Sequence, residues 1–147
     1  MKNSILYLAI IAVLVLTAST GAWAQQPASN IVNVTTLKSK WPDKGTASAR
    51  DSLIAIYNAN VVNKNDKILS HREYAHYFTG SSQDYLIVEE YKDLASMEAA
   101  FEMTTELEKK AWPDATKRKE FMDAMGAYFE TWHGDGLYHM NPKLSKN

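Results

Sequence analysis

The stretch Tyr85-Leu86-Ile87-Val88-Glu89-Glu90-Tyr91-Lys92 carries the reading of the fold. It is short, rich in β-branched and aromatic residues, and follows a polar run, so it reads as a strand. Neighbouring strand residues point to opposite faces. Tyr85, Ile87 and Tyr91 therefore share one face, and Leu86 and Val88 share the other. Ile31 to Leu37 repeats the pattern, with Ile31 and Leu37 opposed to Val32 and Val34. Strands that are apolar on both sides need cover on both sides.

The neighbouring segments say what supplies it. Leu69 to Phe78 reads as a third strand, joined to the first stretch through the polar loop Thr79-Gly80-Ser81-Ser82-Gln83-Asp84, and a hairpin is the simplest connection. Ala47 to Val62 reads as a helix with Leu53, Ile54, Tyr57 and Val61 on one face. Leu94 to Ala111 is a second helix, on the spacing of Leu94, Met97, Phe101, Thr104, Leu107 and Ala111. A third runs from about Ala115 to Thr131, with Phe121, Met122, Met125 and Phe129 on its face, and Trp132 to Met140 makes a last strand that Gly134 and Gly136 weaken. The order is β-α-β-β-α-α-β, an α+β domain. Helices can cover only one face of so small a sheet. The other face requires a partner, since an exposed apolar sheet is an association site, and a homodimer packed sheet to sheet is expected.

Trp-Pro-Asp occurs twice, at Trp41 and at Trp112, each time before a helix. It reads either as a repeated ligand loop or as capping chemistry. Capping is preferred: Asp accepts from free helix N–H groups, and Pro stops a helix extending backwards.

The N-terminus has a different character. Lys2 is the only charged residue before Lys38, an apolar run spans Ile5 to Leu16, and Ala22-Trp23-Ala24 precedes Gln25. A basic start, a short apolar centre and an A-x-A site predict a secretory signal peptide over Met1 to Ala24. The apolar run is too short to span a bilayer. The expected organisation is a signal over 1–24, a disordered polar lead over 25–30 and one domain over 31–147, exported to the periplasm or beyond. The chain has no cysteine, which excludes a lipid-anchored Cys, disulfides and thiolate metal sites. The formal net charge of −1 becomes about −2 without Lys2, and no basic patch stands out. Neither nucleic acid nor, after cleavage, a membrane is an expected partner.

The element order, the size and the two-faced sheet resemble the dimeric α/β-barrel superfamily, whose unit is ferredoxin-like βαββαβ. It includes antibiotic-biosynthesis-type monooxygenases, stress-responsive barrel proteins, muconolactone-isomerase-like enzymes and NIPSNAP-like proteins. Tyr128-Phe129-Glu130-Thr131-Trp132-His133-Gly134-Asp135-Gly136-Leu137-Tyr138 is similar to the end of small exported bacterial members, where a helix runs into a strand bearing His-x-Asp-x-x-Tyr. The resemblance implies a ferredoxin-like βαββ(αα)β antiparallel sheet with helices on one face, closed as a sheet-to-sheet dimeric barrel. It also implies a cavity between sheet and helices for a small, often aromatic or apolar molecule. Haem-binding relatives supply a helix histidine, and this chain has none in its expected helices. Export disfavours NAD(P)H and reduced flavin, so no cofactor is expected.

The chemistry-bearing residues cluster on the strands. His133 and Asp135 share a strand face and read as a general base with its orienting carboxylate, as half of a metal site, or as a polar strand end. No third metal ligand is visible. His76 and Tyr74 are the second catalytic pair. Arg72 lies on the face of Glu90, which suggests a cross-strand ion pair, and Glu73 lies on the face of Glu89. Those two carboxylates either raise one another's pKa or sit solvated at the barrel rim. Arg72, Glu89, Tyr138 and Met125 are the candidate substrate contacts. The methionines and Phe121, Tyr128 and Phe129 read as core or as the wall of an apolar pocket. No phosphate loop or nucleophile motif is present. Three functions follow in order: a non-catalytic small-molecule binder, a cofactor-independent oxygenase-like or isomerase-like enzyme, and an interaction protein.

Overall fold

The computed structural model describes residues 29–77, 83–141 and 143–144. The expected signal peptide, most of the polar lead, the hairpin tip and Pro142 lie outside the described residues. Four strands form one antiparallel sheet: β1 (Ile31–Ser39), β2 (Ser70–Ala75), β3 (Asp84–Tyr91) and β4 (Phe129–His139). Their order across the sheet is β2-β3-β1-β4, so β1 and β3 are central. Between them run α1 (Ala47–Asn60), a 3₁₀ turn (Val62–Lys64), α2 (Leu94–Ala111) and α3 (Ala115–Gly126). This is the ferredoxin-like arrangement, α+β with its helices on one face.

Register decides which face that is. β3 pairs with β1 so that Thr35 opposes Ile87 and Leu37 opposes Tyr85, and with β2 so that His71 opposes Glu89 and Glu73 opposes Ile87. In β4, Leu37 opposes His133 and Thr35 opposes Asp135. The odd-numbered residues of these strands face the helices. The even-numbered set, Val32, Val34, Thr36, Leu86 and Val88, faces the other way, with Arg72, Tyr74, Trp132 and Tyr138 around it.

The two glycines of β4 belong to this second face. A Cβ on Gly136 would lie 2.5 Å from the Tyr138 hydroxyl and 2.7 Å from its ring, so the ring lies directly over the glycine. Trp132 lies over Gly134 in looser contact. The glycines that weaken β4 as a sequence signal are covered by flat aromatic rings, which return apolar area to the strand.

The close-packed core is small and sits at one end of the sheet. Ile31, Tyr91 and Ala100 are buried, with Ile68 and Met97 packed against them. Val61 is fully buried at the end of α1. Asn65 is buried too, but satisfied. Its Nδ2 donates to the Ala100 carbonyl at 2.9 Å and to Thr104 Oγ1 at 3.0 Å, and its Oδ1 accepts from Lys67 N at 3.1 Å. That bonding ties the 3₁₀ turn to α2.

Several local expectations change. α3 ends at Gly126 and β4 starts at Phe129, so the expected helix to Thr131 is too long. The aromatic and β-branched run after Gly126 prefers a pleated surface. β2 is shorter than Leu69 to Phe78. Asp114 caps α3 as expected, accepting from Thr116 N at 2.8 Å and Lys117 N at 3.1 Å. Asp43 does not cap α1. Thr46 does, accepting from Ala49 N at 3.1 Å, because Gly45 N turns back to the Pro42 carbonyl before the helix begins.

Candidate functional site

Between the odd face of the sheet and the helices lies a cavity of about 460 Å³. Its walls are apolar: Leu37, Ile54, Ile87, Met122, Met125 and Phe129. Its floor is polar and is built by alternation, since His71 and Glu73 are two apart on β2, and Tyr85, Glu89 and Tyr91 share one face of β3.

His71 is held at both nitrogens. Nδ1 lies 3.0 Å from Glu89 Oε1 and Nε2 lies 2.9 Å from Glu73 Oε1. The side chains of all three are about one-sixth exposed, at 15% for His71 and 17% for each carboxylate. Three further donors complete the network: Asn58 Nδ2 to Glu73 Oε1 at 2.7 Å, the Tyr85 hydroxyl to Glu73 Oε2, and the Tyr91 hydroxyl to Glu89 Oε2 at 2.6 Å. No buried side-chain nitrogen or oxygen among the described residues lacks a partner.

The electrostatics follow from this geometry. Burial alone would lower the His71 pKa, but the hydrogen bonds and charges of Glu73 and Glu89 outweigh it and raise the value to about 9. Burial would likewise raise Glu73, yet the bonds from His71, Asn58 and Tyr85 hold it near 2, and the bonds from His71 and Tyr91 keep Glu89 below the ordinary carboxylate range. At neutral pH the cluster is carboxylate, imidazolium, carboxylate. The Glu73 charge does push Glu89 upward, but the bonds from His71 and Tyr91 and the cation between the two carboxylates outweigh it, and neither carboxylate sits solvated at a rim. Burial, then hydrogen bonding to carboxylates, pushes the hydroxyls of Tyr57, Tyr85 and Tyr91 well above the usual phenol value.

A second layer braces the tyrosines. Tyr57 donates to Glu108 at 2.8 Å, and Trp112 is stacked between Tyr57 and Phe121, with ring centroids 6.4 and 4.3 Å away. The Arg50 guanidinium lies 5.1 Å from the Tyr85 ring and 5.4 Å from that of Trp41. Trp112 thus stands behind the cavity's Tyr57, and Trp41 is linked to Tyr85 through the Arg50 guanidinium.

A shallower cavity of about 500 Å³ adjoins the first and shares Thr35, Glu89 and Phe101 with it. His133 and Asp135 line it, with Nε2 3.2 Å from Oδ2, and both side chains are about half exposed. Thr35 Oγ1 donates to Asp135 at 2.7 Å. Among the described residues no group of three or more His, Cys, Asp or Glu is placed to hold a metal ion.

The structure thus brings together only part of the set picked out by the sequence. Glu89 and Met125 line the main cavity, and His133 with Asp135 lines the shallow one. Arg72 opposes Val88 and Tyr74 opposes Leu86, both on the sheet face turned away from the helices, as is Tyr138. His76 follows the end of β2, where its N–H donates to the Asp84 carbonyl at 3.0 Å. Arg72 makes no ion pair with Glu90 among the described residues; Glu90 accepts instead from Asn30 at 2.5 Å and Ser70 at 3.3 Å. His71, Tyr85 and Tyr91 are the site residues that sequence reasoning missed, and it singles out Glu73 only as a carboxylate beside Glu89. Their shared parity is visible in the sequence, but not that the helices cover that parity.

SnoaB, a cofactor-independent oxygenase from Streptomyces nogalater, superposes with a TM-score of 0.51 at 12% identity, covering 81% of this chain and 100% of its own. A protein of antibiotic-biosynthesis-monooxygenase type from Caulobacter crescentus CB15 gives 0.50 at 16% identity, over 78% of this chain and 92% of that one. The chain shares the ferredoxin-like fold of these proteins. A conserved protein from Methanosarcina mazei Go1 gives 0.51 at 14% identity, over 78% and 95%. At such identities the likeness concerns fold alone. No protein-family model and no curated protein matches the sequence.

Proposed function

We propose that this chain is an exported small-molecule-binding protein that works as a sheet-to-sheet homodimer and holds a small apolar or aromatic ligand in each protomer. The observation that carries this reading is the cavity of about 460 Å³, apolar on its walls with one polar cluster on its floor. That is the usual composition of a ligand site: hydrophobic lining with a few placed polar groups. The dimer reading rests on the even-numbered sheet face. Val32, Val34, Leu86 and Val88 are only partly buried there, and Tyr74, Trp132 and Tyr138 are 48%, 66% and 58% exposed. The export reading rests on Met1 to Ala24.

Binding is favoured over catalysis by the state of the cavity's own groups. A general base needs a free lone pair and a pKa near the working pH. Both His71 nitrogens donate to carboxylates, the carboxylates are weak bases with lowered pKa values, and the phenols hold their protons. The second reading is a cofactor-independent oxygenase-like or isomerase-like enzyme. It is favoured by the His133–Asp135 pair beside the cavity and by the oxygenase description of SnoaB.

Native mass spectrometry of the purified protein, with and without naphthalene as an apolar probe, tests the first reading. A dimer mass with up to one probe per protomer is expected. A monomer that takes up no probe and is not stabilised by it against heat removes the proposal. An N-terminus of secreted protein away from Gln25 removes the export part. A turnover that His133→Ala abolishes while probe binding persists establishes the enzyme reading instead.

A further inference from the structure

The binding reading leaves the ligand's polar chemistry open, and the hydrogen-bond accounting around the cavity narrows it. Both imidazole hydrogens of His71 go to Glu73 and Glu89. The phenol hydrogens of Tyr85, Tyr91 and Tyr57 go to Glu73, Glu89 and Glu108. Thr35 donates to Asp135. Most polar hydrogens around the cavity are therefore spent on carboxylates, the second amide hydrogen of Asn58 being the exception. Glu73 Oε1 already accepts two bonds, but Glu73 Oε2 and both Glu89 oxygens can each accept a second, and each phenol oxygen still accepts. Charge has the same sign. Two carboxylates against one imidazolium leave one net negative charge, and no Lys or Arg is among the described residues lining the cavity. A metal ion is not the complement, because the described residues offer no metal-holding group.

We propose that the cavity takes an organic amine: a ligand with an apolar or aromatic body and one protonated amino group, seated against the Glu73–His71–Glu89 cluster. Glu89 is the anchor, since it lies where the two cavities meet and can be reached from the open one. Phe101 lines both cavities together with Glu89 and supplies an aromatic ring beside the same cation. An anionic ligand would meet acceptors and like charge, with only neutral donors such as the Asn58 amide to offset its desolvation. The proposal rests on the binding reading, and its test separates the two.

Tryptamine, tryptophol and indole-3-acetate share an indole body and differ in the head group: amine, alcohol and carboxylate. Their affinities for the purified protein are measured by calorimetry beside naphthalene, which has no head group. Tryptamine is expected to bind about tenfold more tightly than tryptophol, the size of one charge-assisted hydrogen bond, with indole-3-acetate weakest. Glu89→Gln is expected to reduce the amine-to-alcohol ratio below about threefold. Equal affinities across the three, or preference for the acetate, overturn the amine assignment and leave the binding reading standing. Naphthalene binding with none of the indoles does the same. No binding by any of the four overturns both. The wild-type series decides the matter even if Glu89→Gln does not fold.

Discussion

Stability between pH 6.5 and 9 should report the His71 clamp directly. In the unfolded chain His71 releases its proton near pH 6.5; in the folded protein it holds it to about 9. Between those values the folded state binds the extra proton, so stability falls as pH rises. The contribution is fully present below 6.5 and lost by passage through 9. Its size, from the separation of the two values, is about 3 kcal/mol. Glu73 titrates in the opposite sense. Its value of about 2 gives stability that is present above the ordinary 4.5 and lost as pH falls through 2. The two describe one interaction and are not added, so a plateau between about pH 4.5 and 6.5 is expected. Urea unfolding across pH 3 to 10, with the imidazole proton that disappears in His71→Gln followed by NMR, measures both. His71→Ala at pH 6 removes the cation from between two buried carboxylates and should cost about 3–5 kcal/mol. Its decline above pH 6.5 should vanish. A His71 that titrates near 6.5, or a His71→Ala cost under about 1 kcal/mol with the wild-type pH profile, would refute the clamp.

Three further outcomes are expected. Asp114→Ala should lower stability by about 1 kcal/mol through loss of the α3 cap, while Asp43→Ala should change it by under about 0.5, as denaturant midpoints will report. Val34→Glu places a charge at the centre of the open sheet face, opposite Val88 and Gly136; light scattering should then give a monomer mass for the variant and, on the proposed assembly, a dimer mass for the wild type. Met122→Trp fills the cavity from its helical wall and should weaken naphthalene binding more than tenfold by calorimetry, with a stability change of about 1–3 kcal/mol from overpacking.

The sequence by itself determined the element types, their order and the parity of every strand. Periodicity is a local property: the two-residue repeat of Tyr85 to Tyr91 and the three-or-four spacing of Leu94 to Ala111 need no partner to be read. Asp114 and the Trp-Pro-Asp breaks were legible for the same reason. Tertiary structure decided which parity the helices cover. Sequence reasoning disfavours burying His71, Glu73 and Glu89, because each alone is costly to desolvate. Together they neutralise and hydrogen-bond one another across two strands, and only the pairing of His71 with Glu89 makes that visible. The same choice put Arg72, Tyr74 and Tyr138 on the opposite face and gave the site to residues whose spacing carried no motif. The feature that decides the fold, a strand apolar on both sides, thus has two separate uses. Tyr85, Ile87 and Tyr91 line a cavity, and Leu86 and Val88 lie on the open face.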